Sequence, residues 1–85
     1  MTVKRELYYS PLCGFCHKVL FFMKKNGIDI PLNNVMSAEH RSALVSGGGK
    51  SQVPCLKIEQ GEQVKWLYES NDIIEHLRQH SMVAN

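Results

Sequence analysis

Apolar and polar positions alternate at period two from Val3 to Tyr9, with Val3, Leu7 and Tyr9 on one side, which predicts a first strand. Ser10-Pro11-Leu12 reads as a turn. From about Gly14 to Asn26 the period becomes helical: Phe15, Cys16, Val19, Leu20, Phe22 and Met23 fall on one broad face, and His17, Lys18, Lys24 and Lys25 on the other. Phe21 lands on the polar side and reads as an isolated exposed aromatic. Gly27 suits the position just past the helix end.

Ile28-Asp29-Ile30-Pro31-Leu32 alternates and predicts a short second strand, placed at an edge by Pro31. Ser37 is placed to cap a second helix over Ala38 to Val45, closed by Gly47. Gly47 to Ser51 reads as a flexible loop. Val53 to Glu59 predicts a third strand, Gln60-Gly61 a tight turn, and Gln63 to Tyr68 a fourth strand, so the last two form a hairpin. Ser70 is expected to cap a final helix with Ile73, Ile74 and Leu77 on one face and Asp72 in its first turn, where the dipole favours an acid. The tail after His80 is expected to fray. The order β-α-β-α-β-β-α defines an α/β chain: a right-handed parallel βαβ unit, then an antiparallel hairpin, in a mixed four-stranded sheet with helices on both faces.

Composition narrows this picture. At 85 residues the chain has room for a single domain, spanning 1–85. The net charge is only +2 and no run of like charge exceeds two residues, which argues against a nucleic-acid surface. No apolar stretch is long enough to span a membrane, and the basic N-terminus has no apolar run behind it. The expected location is therefore the reducing cytoplasm. There, three cysteines with two in a Cys-x-x-Cys read as redox or metal chemistry and not as a structural staple.

Cys13-Gly14-Phe15-Cys16 carries the chemistry, because it sits where a strand hands over to a helix. The first N–H groups of a helix have no intrahelical partner and lie at the positive end of the dipole. A thiolate there is stabilised, so Cys13 is expected to be the reactive sulfur, with Cys16 one turn on and close enough for a disulfide. Competing readings are weaker. Cys-x-x-Cys-His also matches a haem attachment motif, but it opens an amphipathic helix whose His17 faces solvent. Gly49-Lys50-Ser51 evokes a phosphate loop, yet Leu44 stands where that motif needs glycine and a strand follows. Cys13, Cys16, Cys55 and His17 lack the second close ligand pair of a zinc site. Cys55 reads as a small buried apolar residue, and His40, His76 and His80 read as surface residues.

A strand, Cys-x-x-Cys at a helix start, Val53-Pro54 opening a later strand, then Glu69-Ser70-Asn71-Asp72 at a helix start: this succession resembles the glutaredoxin family over nearly the whole chain. Val3 to Tyr68 is similar throughout to the thioredoxin fold. The piece Trp66 to Ile74 resembles the N-terminal domain of glutathione S-transferases, in which the Glu-Ser pair holds the γ-glutamyl end of glutathione. Those transferases also carry a large helical second domain, for which nothing in this sequence provides, so a full transferase is not expected.

The resemblance implies a glutathione-dependent thiol–disulfide oxidoreductase that reduces disulfides and protein–glutathione mixed disulfides. Cys13 would attack and carry glutathione, and Cys16 would resolve a protein disulfide. Pro54 would be cis and turn the Val53 backbone toward the cysteine of glutathione. Glu69, Ser70 and Asn71 or Asp72 would meet the γ-glutamyl group, and Tyr9, at the mouth of the first strand, would either line the glutathione cleft or pack in the core. The implied partners are glutathione, as co-substrate, and a disulfide-bearing or glutathionylated protein, with the chain a monomer, no nucleic acid and no membrane. Two departures stand out. Many glutaredoxins have a lysine where this chain has Ser10, so Lys4, Lys18, Arg41 or Lys50 would have to take its place near the glycyl carboxylate. Gly14-Phe15 resembles the monothiol branch, Cys-Gly-Phe-Ser, which implies as an alternative an iron–sulfur carrier with a [2Fe–2S] cluster on Cys13 and glutathione between two copies. A glutathione-binding module without turnover is a further alternative.

Overall fold

Seven elements follow one another in the computed structural model, which describes residues 3–81: β1 (Val3–Tyr9), α1 (Gly14–Lys25), β2 (Leu32–Asn34), α2 (Ala38–Gly48), β3 (Cys55–Gln60), β4 (Gln63–Leu67) and α3 (Ser70–Ser81). They form one mixed sheet in the order β2-β1-β3-β4. β1 and β2 are parallel, and the β1–β3 and β3–β4 pairs are antiparallel. This is the thioredoxin-like α/β architecture that the element order predicts. The expected fraying beyond His80 concerns mostly residues outside those described.

Successive residues of a strand point to opposite faces, and β1 shows the consequence. Leu7 is buried in a cluster with Val19 and Met23 of α1, Leu56 and Ile58 of β3, and Ile73 and Leu77 of α3. Tyr8, next to it, is buried on the other face with Leu44 of α2 and Cys55 of β3. So α1 and α3 cover one face and α2 the other. The helical period of α1 puts Cys16, Val19 and Met23 in the interior, as expected. Phe15 does not follow: at 67% exposure it stands in solvent, although its angular position suggested the apolar face. Cys16, the next residue of the first turn, takes the buried position at this end of the helix. Phe21 is exposed, as its polar-side position predicted.

β2 is displaced from the predicted Ile28–Leu32. The Ile28 N–H closes the end of α1 on the Met23 carbonyl, and Pro31 has no N–H to give a ladder, so pairing begins only at Leu32. Ile28 and Ile30 still pack against the larger cluster, but from the connection and not from a strand. α2 is longer than predicted. It runs through Gly47 and Gly48 to Gly49, whose φ of 88° makes the left-handed cap. A Cβ on Gly47 would run into Trp66 Cζ2, and one on Gly48 into the Tyr68 hydroxyl. The run that resembled a loose loop is thus the last turn of a helix pressed onto aromatic rings. At α3 the Ile73 N–H bonds the Glu69 carbonyl, so Glu69 holds the cap position and Ser70 is the first helical residue.

Candidate active site

Ser10-Pro11-Leu12 carries the chain from β1 to α1 in a turn closed by the Cys13 N–H on the Ser10 carbonyl, at 3.1 Å. This places Cys13 at the N-cap of α1 in extended conformation. Its sulfur accepts the Cys16 N–H at 3.3 Å, one of the donors that the start of a helix leaves free. Its thiol also lies 3.7 Å from the Val53 carbonyl, to which it donates. Cys13 is partly exposed, whereas Cys16 and Cys55 are buried. One sulfur of the three is therefore open to attack an incoming bond.

Cys16 lies behind it, and its sulfur accepts the Ser10 N–H at 3.5 Å. Burial, followed by the adjoining Cys13 sulfur, pushes the Cys16 thiol up from its ordinary value. Cys55 is pushed up to about 12 by burial, partly opposed by the Tyr68 hydroxyl beside it. All three cysteines are free. No group of three or more His, Cys, Asp or Glu side chains able to hold a metal ion occurs among the described residues. His17 turns its ring to the Pro11 carbonyl, at 2.7 Å.

The Val53-Pro54 peptide is cis, as the resemblance implied. Beside it opens a cleft of about 130 Å³ lined by Phe15, Gln52, Val53, Pro54, Tyr68, Glu69 and Ser70. Four of the predicted binding residues, Val53, Pro54, Glu69 and Ser70, thus come together next to Cys13. Tyr9, Asn71 and Asp72 do not line this cleft. Tyr9 accepts the Val35 N–H through its carbonyl. Asn71 takes a hydrogen bond from the Lys18 ammonium at 2.7 Å, tying α1 to the start of α3. Asp72 is exposed in the first turn of α3.

Three lining residues were not singled out from the sequence. Phe15 falls on the broad apolar face of the expected helix, Tyr68 ends the expected fourth strand, and Gln52 carries no signal except that it precedes Val53-Pro54. The structure also separates the four candidate cations. Lys18 is held by Asn71. Lys4 lies in the first half of β1 and Arg41 on the exposed side of α2. Lys50 sits with its ammonium 5.3 Å from the centre of the Tyr68 ring, at the rim of the cleft, and the Tyr68 hydroxyl donates to its carbonyl.

The chain has a fold of the thiol–disulfide oxidoreductase type, with a partly exposed helix-capping cysteine in Cys-x-x-Cys. The sequence profile of the glutathione S-transferase N-terminal domain matches residues 12–80, and the chain belongs to that family. No curated protein matches the sequence closely enough to count as a relative. Among solved structures, human glutathione S-transferase T1-1 (a W234R mutant in apo form) is similar with 29% identity and a TM-score of 0.69, over 92% of this chain and 33% of the transferase. The chain therefore spans about a third of that transferase's length. NrdH-redoxin of Escherichia coli, described as glutaredoxin-like with a thioredoxin-like activity profile, shares the fold with 22% identity, a TM-score of 0.59 and coverage of 87% and 93% of the two chains. A glutaredoxin of Archaeoglobus fulgidus shares it with 20% identity, a TM-score of 0.61 and coverage of 91% and 88%. No described helix is long and apolar enough to cross a membrane.

Proposed function

We propose that this protein is a glutathione-dependent thiol–disulfide oxidoreductase of glutaredoxin type. The observation that carries the reading is the position of Cys13 Sγ, capping α1 and 3.7 Å from the Val53 carbonyl at the edge of the Glu69–Ser70 cleft. In a glutathionylated protein the Cys13 thiolate attacks the glutathione sulfur. A Cys13–glutathione disulfide forms, the original disulfide breaks, and the protein leaves as its thiolate. A second glutathione thiolate then attacks the bound glutathione sulfur, which yields oxidised glutathione and frees Cys13. Over the full cycle one free glutathione thiol is consumed, and it leaves joined to the glutathione taken from the substrate as oxidised glutathione.

The bound tripeptide lies along Val53, whose backbone pairs with it as an added strand would. Its γ-glutamyl carboxylate meets the free N–H groups at the start of α3, and Glu69 takes its ammonium. Lys50 takes the terminal carboxylate, in place of the lysine that Ser10 replaces. Burial of Cys16 keeps it a thiol at neutral pH, which favours the route using Cys13 alone.

Glutathione-coupled reduction of a small mixed disulfide tests the reading. Cys13→Ser is expected to lower turnover by more than about a thousandfold, while Cys16→Ser retains deglutathionylation. Lys50→Glu is expected to raise the KM for glutathione with little change in kcat. Turnover that survives Cys13→Ser overturns the assignment.

A further inference from the structure

A second concavity lies at the other end of β1. It measures about 360 Å³ and is bounded by Val3, Lys4, Arg5, Glu6, Ile30 and Pro31. It exists because β2 is short. β3 pairs with β1 from Val3 to Tyr8, but β2 pairs only with Leu7, Tyr8 and Tyr9. The Leu7 N–H points away from β3, to the Pro31 carbonyl, at 2.9 Å. Backbone groups alternate sides along a strand, so the N–H and C=O groups of Val3 and Arg5 point the same way. They have no backbone partner among the described residues. A notch of four residues, about 13 Å long, is thus an open strand edge with an apolar wall at Ile30 and Pro31.

The notch itself is lined by two cations, Lys4 and Arg5, against the one carboxylate of Glu6. Glu59 faces Lys4 in register, yet both Glu59 and Glu6 pair with Lys57, at 3.2 and 3.9 Å. Lys4 is left without an ion pair among the described residues. Arg5 donates through Nε to His76 Nε2 at 3.0 Å. His76 is held neutral, its pKa lowered to about 4 by burial and by the charges of His80, Arg5 and Lys65, so it leaves the guanidinium uncompensated. Lys4 and Arg5 are adjacent and therefore lie on opposite faces of β1.

We propose that this edge of β1 binds an extended peptide bearing two successive acidic residues flanked by apolar ones, added to the sheet as a strand. Two successive residues of an added strand also lie on opposite faces, so one acid meets Lys4 and the other Arg5. The peptide backbone pairs with Val3 and Arg5, and a flanking apolar side chain enters the space beside Ile30 and Pro31. Antiparallel pairing of β1 with a second copy sets Lys4 against Lys4 in one register and Arg5 against Arg5 in another, a repulsion that an acidic peptide replaces with attraction. The centre of the notch lies about 15 Å along β1 from its Cys13 end, so the two sites can be filled together.

The probe is the blocked tetrapeptide acetyl-Val-Glu-Glu-Val-amide, titrated into the full chain and followed by amide NMR shifts. Shifts are expected in Val3 to Leu7, Ile30 and Leu32, and not in the Phe15–Ser70 cleft. The Lys-Lys peptide and a backbone N-methylated Glu-Glu peptide are expected to give none. Val3→Pro removes one edge donor at the start of the strand, where proline is tolerated, and is expected to weaken binding about threefold to tenfold. Lys4→Glu is expected to weaken it about fivefold without touching the backbone. Equal shifts with the Lys-Lys peptide, the N-methylated peptide or tripolyphosphate would overturn the proposal. So would shifts centred on the cleft, or shifts of Val3 to Arg5 that follow protein concentration alone, which would mean that a second copy covers the edge.

Discussion

Leu7, Leu56 and Ile58 meet Val19, Met23, Ile73 and Leu77 on one face of the sheet, while Tyr8 and Cys55 meet Leu44 on the other, with Val35, Val53, Trp66 and Tyr68 packed around them. The first side is a broad aliphatic core closed by two amphipathic helices. The second is narrow and aromatic: Trp66 stacks at 5.6 Å from Tyr8, and Gly47 and Gly48 let α2 settle onto Trp66 and Tyr68. The aliphatic side holds α1, and with it Cys13 and Cys16. The aromatic side places Tyr68 and Lys50 at the cleft. Bulk burial thus fixes the reacting sulfur, and close backbone approach fixes the wall against which a ligand would rest.

Cutting each side separately sharpens this contrast. Leu77→Ala or Leu56→Ala removes a fully buried side chain from the broad core and is expected to cost about 2–5 kcal/mol in urea unfolding. Gly48→Ala tests the other side, with opposing effects. Helix propensity alone favours alanine by about 1 kcal/mol. The collision of its Cβ with the Tyr68 hydroxyl outweighs this, for an expected net loss of about 1–2 kcal/mol and a weaker affinity for glutathione. An increase in stability would show that α2 shifts freely over the rings. Tyr68→Phe leaves the ring and removes the hydrogen bond to the Lys50 carbonyl, and is expected to cost about 0.5–1.5 kcal/mol.

A separate effect is a slope with pH. The folded chain lowers the His76 pKa to about 4 through burial and then the charges of His80, Arg5 and Lys65. An unfolded histidine titrates near ~6.5. Between these values the unfolded chain binds the extra proton, so stability falls as pH drops from about 6.5 to about 4 and the loss levels off below. Unfolding midpoints measured across that window should show the slope in the native sequence and a reduced one in His76→Gln.

The legible parts of the fold were those set by period and by local punctuation. β1 ran as its alternation predicted, and α1 ended within a residue of its expected limit, because Asn26-Gly27 offers no helical continuation. Cys13 at a helix start followed from Ser10-Pro11. β2 and α2 were misplaced because in each case a tertiary contact outweighed the local signal. Ile28 and Ile30 alternate like a strand but serve the core from a connection. Three glycines resemble a loop until Trp66 and Tyr68, far along the chain, make glycine the residue that fits there.

The sequence by itself determined the element order, the class of fold and the cysteine at the head of α1, since these rest on period and punctuation within a few residues, whereas Pro54 beside Cys13 was implied by the family resemblance. Only the tertiary structure decided that Phe15, Gln52 and Tyr68 join the expected Val53, Pro54, Glu69 and Ser70 around the cleft. Phe15, Gln52, Tyr68 and Ser70 converge through the closing of α1, the α2–β3 connection and the start of α3 on one end of the sheet. It likewise decided that Lys50, of four candidate cations, stands at the rim, and that β2 stops short of Val3 to Glu6. Such facts depend on where chain segments stop relative to one another in space, and hydrophobic period does not encode that.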